Sequence, residues 1–102
     1  PAERARAPAL YRMLCDLAAR LEAGGEDFQR LLAEGRERIR EAGMTPDYLE
    51  IRRAADLAPA GPGDHELVIP VAAYLGRARL IDNVRVTRPH SGQGGGDEYA
   101  GE

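Results

Sequence analysis

Two histidines, one cysteine and scattered carboxylates are the residues that could do chemistry in this 102-residue chain. Asp64-His65-Glu66 is a triplet of ligand-capable side chains. A structural or catalytic zinc site, however, needs further His or Cys ligands at characteristic spacing, and none follows. The triplet therefore reads as a solvated loop. His90 falls in a polar, glycine-rich stretch and has less support. Cys15 has no histidine near it in sequence to draw off its proton, so it reads as a small, partly buried helix residue rather than a nucleophile. Alone it builds neither a disulfide framework nor a cysteine zinc site. Gly94-Gly95-Gly96 follows no strand and opens no helix, so it is not a phosphate cradle. All fourteen basic residues are arginine, which removes lysine Schiff-base chemistry and a phosphate-loop lysine. No catalytic, cofactor-binding or metal residue is assigned.

One stretch asks for more. Arg79-Leu80-Ile81-Asp82-Asn83 puts three strongly polar residues on a short strand, with Asp82 in phase with Leu80 and Val84. A hairpin that only packs has no need of that carboxylate. Either backbone N–H groups or an ion pair with Arg79 or Arg52 satisfies it, or these groups meet another domain or a ligand.

The elements that position these residues follow from periodicity. Pro1-Ala2-Glu3-Arg4 suits the opening of a helix, because proline's missing N–H is unpaired there anyway. With no N-cap residue and no methionine before it, the start reads as a fragment cut just upstream of a helix. Leu10, Met13, Leu14, Leu17, Ala18 and Leu21 recur at three-to-four spacing and predict a helix to about Glu22, kinked or restarted at Pro8. After Ala23-Gly24-Gly25, a second helix spans about Glu26 to Ala42, with Phe28, Leu31, Leu32, Gly35, Ile39 and Ala42 inward. Gly35 implies close approach to the first helix or to the sheet, and Gly43 is a C-cap. Arg36, Arg38 and Arg40 interleave with Glu34, Glu37 and Glu41 as a solvated, ion-paired face.

The period then drops to two. Leu49 and Ile51 take one face of a strand over 47–52, and Tyr48, Glu50 and Arg52 take the other. A short helical turn is expected over 54–58 and a loop over 59–64. Leu67 to Leu75 is apolar throughout, as a strand covered on both faces would be, and Pro70 predicts a bulge or a locally unpaired edge. Gly76-Arg77 suits a type II′ turn, and the return strand spans Ala78 to Val86. The fold expected is α+β, a two-helix hairpin on one face of a small three-stranded, mostly antiparallel sheet, with the folded domain over 1–86 and a disordered polar tail over 87–102. The helices cover one sheet face only, so the other either lies under the turn near Leu57 or docks onto something else.

Composition excludes several classes. A net charge of −3 offers no basic field for nucleic acid, and no aromatic platform is present. No apolar run reaches the ~18 residues of a membrane span, and no signal peptide is visible. A cytoplasmic protein is expected.

Tyr48-Leu49-Glu50-Ile51-Arg52 followed by Ala72-Ala73-Tyr74-Leu75-Gly76-Arg77-Ala78-Arg79-Leu80-Ile81-Asp82-Asn83 resembles the C-terminal end of the pantothenate synthetases (pantoate–β-alanine ligases). Pro1-Ala2-Glu3-Arg4 and Ala7-Pro8-Ala9-Leu10-Tyr11 are similar to the start of that domain. The resemblance runs to about Val86, and the final hairpin is its most specific part. It implies a lid domain of a cytoplasmic, homodimeric ligase that condenses pantoate with β-alanine through pantoyl adenylate. ATP and magnesium would serve the full-length enzyme, bound on an N-terminal Rossmann-like domain that is the lid's partner. The family's His-x-Gly-His motif and Ser-Ser-Arg-Asn loop are not in this sequence, so no catalytic role carries over. Pro70 and the long tail depart from the family pattern. The competing reading is a stand-alone α+β interaction module without catalysis.

Overall fold

The computed structural model describes residues 2–24, 27–61 and 63–88. Helix α1 (Ala2–Glu22) and helix α2 (Phe28–Glu41) are followed by strands β1 (Thr45–Leu49), β2 (Arg52–Arg53), β3 (Glu66–Leu75) and β4 (Ala78–Thr87). The fold is α+β, and all strand pairings are antiparallel.

The expected apolar stripes are the core. Leu10, Met13, Leu14, Leu17 and Leu21 of α1, and Leu31, Leu32 and Ile39 of α2, are buried against Leu49, Ile51, Leu67, Ile69, Val71, Ala73 and Val86 of the sheet. Alternate β3 residues therefore face the helices. α1 runs unbroken through Pro8, where a kink or restart was expected. Pro8 is exposed and lies near the N-terminal end, so the one ladder bond it forgoes is lost at an exposed position and not in the core. α2 starts two residues later than the pattern suggested. Asp27 is its N-cap, accepting the Arg30 N–H at 3.1 Å, as a short carboxylate does for an otherwise unpaired donor.

At its other end, Gly43 has φ +88° and donates its N–H to the Arg40 carbonyl, while Met44 donates to Ile39. These are the paired bonds of a Schellman cap, and buried Met44 and Ile39 supply its apolar contact. Gly35 is buried where three elements meet. A Cβ there would come within 3.1 Å of Leu17 Cδ1 and 3.2 Å of Met13 Sδ, and would overlap Leu49. Both helix and sheet thus approach it.

The sheet has four strands where three were expected. β4 occupies one edge of β3 along its whole length, so β1 and β2 share the other. They are the anticipated single strand, interrupted at Glu50-Ile51. The cause lies opposite, at Pro70. Its carbonyl accepts the Glu50 N–H at 3.2 Å, so its nitrogen also faces that edge, and proline has no N–H to return. Leu49 and Ile51 are both buried, which fixes the register as read from the alternation. Gly76, at φ +60°, makes the turn into β4, the conformation a type II′ turn requires of its first central residue.

β4 extends to Thr87, and Arg88 beyond it is buried, two residues past the expected domain end. Arg88 donates its N–H to the His65 carbonyl at 2.7 Å and its Nε to the Leu21 carbonyl at 3.2 Å. Its guanidinium lies 5.4 Å from the Phe28 ring centroid. One side chain so ties the end of α1 to the start of α2. The expected tail from residue 89 onward lies outside the described residues.

Candidate functional site

The residues singled out for chemistry do not converge. Asp64 accepts the Gly61 N–H within its own loop, at 2.8 Å, and Glu66 accepts the Thr87 hydroxyl at 3.3 Å. Among the described residues, no three His, Cys, Asp or Glu side chains stand together as a metal group. Cys15 is a free, half-buried thiol beside Tyr11. A side-chain hydrogen bond with Cys15, then the charge nearby, raises the Tyr11 phenol above its ordinary value. The two line a concavity of about 520 Å³ between α1 and β4, together with Glu22, Asn83 and Arg85. His90 lies outside the described residues, as does Gly94-Gly95-Gly96.

The strand Arg79–Asn83 divides between the two faces. Leu80, Asp82 and Val84 stand opposite Ala73, Val71 and Ile69 on the helix side. Asp82 is half-buried and accepts the Asn83 N–H at 2.8 Å, so the backbone satisfies it. The two arginines considered for it are held elsewhere: Arg79 by Asp47 at 3.0 Å and Arg52 by Glu50.

Arg79, Ile81 and Asn83 point to the outer face. Here Tyr48, Ala72 and Ile81 form one cross-strand row, and Arg52, Val68 and Arg85 form another. Between them lies a concavity of about 560 Å³ whose floor is Val68 and Pro70 and whose walls are Tyr48, Leu57 and Asn83. Tyr48, Glu50 and Arg52 all line it, on the face the alternation assigned to them. The Arg79 guanidinium crosses over β3 to Asp47 and sits 5.8 Å from the Tyr48 ring centroid. The hydrogen bond that Arg79 donates to Asp47 is the main cause that raises the guanidinium further above its usual value.

The turn near Leu57 does lie beside this face, as one of the two expectations had it, but not with the helical conformation expected. Leu57 is 59% exposed with φ +61°, a conformation that costs a branched side chain free energy and is rare outside glycine, asparagine and aspartate. Arg52 donates to its carbonyl at 2.7 Å, its N–H bonds the Arg53 carbonyl, and the Arg53–Asp56 ion pair closes the turn beneath it. The chain then folds back, with Arg52 bridged to Pro59. Nothing in the run Ala54-Ala55-Asp56-Leu57 signals a left-handed leucine, since those residues also suit the ordinary helical turn that was expected.

This arrangement offers an apolar floor and paired charges at its rim. Comparison with known proteins shows the family. The family model described as pantoate-beta-alanine ligase matches residues 1–85. This chain belongs to that family. It is 57% identical over 84 residues to the pantothenate synthetase of Azotobacter vinelandii and 56% identical to that of Pseudomonas aeruginosa, in each case over 82% of this chain. The crystal structure of pantothenate synthetase from Thermus thermophilus superposes with a TM-score of 0.71 at 33% identity, again over 82% of this chain. The chain spans about 30% of the length of these relatives. No helix among the described residues is long and apolar enough to cross a membrane.

Proposed function

We propose that this chain is the closing domain of a cytoplasmic ligase that joins pantoate to β-alanine through a pantoyl adenylate, at the expense of ATP. The observation that carries the reading is the family match over residues 1–85, in a chain whose described residues offer a binding face and no catalytic set. ATP and its magnesium would be held by other polypeptide, the Rossmann-like domain. No carboxylate cluster or glycine-rich phosphate loop stands among the described residues of this chain to hold them. The full enzyme is expected to be a homodimer.

The physical role of such a domain is exclusion of water. An acyl adenylate hydrolyses readily, and closure over it protects the intermediate and strengthens the electrostatics around the phosphates. A rigid cover serves this better than a loop, and the buried Gly35 contact and the Arg88 tie hold the helix pair and sheet together as one piece.

The test compares the purified 102-residue chain with a polypeptide of the relatives' full length that contains it. The long form is expected to make pantothenate from pantoate, β-alanine and ATP. The 102-residue chain is expected neither to hydrolyse ATP nor to form product. Turnover by the short chain, or none by the long one, would overturn the proposal.

A further inference from the structure

The outer face of the sheet is not built for water. An antiparallel sheet with one solvated face alternates apolar and polar residues. After Glu66 at its start, the outward positions of β3 are instead Val68, Pro70, Ala72 and Tyr74. Of the five large apolar side chains exposed among the described residues, four lie on or beside this face: Tyr48, Leu57, Tyr74 and Ile81, the last 66% exposed. Leu57 is held there in a left-handed conformation. Strain of this kind persists where surrounding structure fixes it, and it gathers at sites of function.

We infer that this face, centred on Tyr48, Pro70 and Ile81, is the surface that packs against the remainder of the longer polypeptide, an inference that rests on the closing-domain reading above. Three observations select that occupant. The family relatives carry more than twice as much chain beyond the matched part as within it, so they have the polypeptide to cover the face. Two of the arginines on this face are paired within the chain, Arg79 by Asp47 and Arg52 by Glu50, which suits a protein surface, while Arg85 lies exposed at the end of the row. The sequence of residues 89–102 has Tyr99 as its sole large apolar residue, too little to serve as the cover itself.

The partner surface is correspondingly apolar at its centre, with neutral polar groups opposite Asn83 and the two ion pairs. Interfaces of this kind have an apolar core and a polar rim.

The experiment is hydroxyl-radical footprinting of the full-length polypeptide, read residue by residue by mass spectrometry, with Tyr11 as the internal reference. In this chain Tyr11 is 53% exposed, Tyr48 36% and Tyr74 39%, so an uncovered face would give the three comparable reactivity. Burial at an interface core is expected to slow Tyr48 and Tyr74 roughly fivefold or more relative to Tyr11. Reactivity in proportion to those exposures would overturn the inference. So would protection that vanishes on dilution, since that identifies a second copy as the cover. Pantothenate formation by the same preparation is scored separately. Its loss would remove the ligase reading, whereas an unprotected face in an active enzyme would remove only this one.

Discussion

Pro70 accepts a hydrogen bond from the Glu50 N–H at 3.2 Å and has none to give in return. That one-way contact splits the edge strand into β1 and β2 and leaves Glu50 and Arg52 free to pair with each other at the rim of the outer face. Replacing the proline restores a donor, worth about 0.5–1.5 kcal/mol net, but releases the unfolded chain from its ring constraint, which costs about 0.4–1 kcal/mol. Pro70→Val is therefore expected to leave stability within about 1 kcal/mol of the parent while slowing amide exchange at Glu50. Exchange at Glu50 no slower than in the parent would show that the break has another cause.

Arg88 is the second unexpected determinant. Its Nε bond to the Leu21 carbonyl and its stacking on Phe28 replace contacts that a two-helix hairpin on so small a sheet lacks. Truncation to alanine removes a hydrogen bond from a charged donor, worth about 1.5–3 kcal/mol, while the Leu21 carbonyl keeps the Gly24 N–H at 3.0 Å. Arg88→Ala should lower stability by about 2 kcal/mol in urea titration. A chain ending at Val86 should show a loss at least as large. No loss in either would mean that the sheet end is held by the β3–β4 ladder alone.

These two residues mark where sequence reading stopped. The helix stripes, the Gly35 approach, the Gly43 cap, the II′ turn and the outward set Tyr48, Glu50 and Arg52 were all legible, because each rests on a local period or on a backbone rule. The fourth strand was not. Proline's effect depends on which edge its nitrogen faces, and that is a tertiary fact. Arg88 read as part of a polar tail because a buried arginine is recognisable only by its partners, Leu21, Phe28 and His65, which lie far away in sequence. The outer face was half legible. Its apolar central strand was plain, but Leu57 joins it only through a left-handed turn.

The helix hairpin is laced by surface ion pairs whose effect should appear in acid. Arg20 hydrogen-bonds Glu34 across the helices, and Arg30 adds to it, holding the Glu34 carboxyl below its ordinary range. The Arg53 bond and the Ala58 N–H do the same for Asp56. Each group binds its proton less readily folded than unfolded. The unfolded chain thus takes up protons first, and the stabilisation, complete above the unfolded carboxylate pKa, is lost as pH falls through the lower folded values. Both groups are solvent-exposed, so salt screens the effect. The melting temperature is expected to fall as pH drops below the ordinary carboxylate range, and Glu34→Gln should flatten part of that slope at low ionic strength. An unchanged slope would assign the acid sensitivity elsewhere.

Leu57 offers the sharpest separation of stability from function. Its positive φ costs roughly 1–2 kcal/mol for a non-glycine residue, and its side chain, 59% exposed, recovers little by burial within this chain. Glycine at the same position removes the strain while adding unfolded-state freedom worth up to about 1 kcal/mol. Leu57→Gly should therefore leave the 102-residue chain as stable as the parent or slightly more so. In the full-length polypeptide the same change would remove an apolar side chain from the inferred docking face. There it should raise the reactivity of Tyr48 in the footprint. A residue kept in a costly conformation for packing inside its own domain would show the opposite, a clear loss of stability in the short chain and no change at the face. Chemical denaturation of the one and footprinting of the other decide between them.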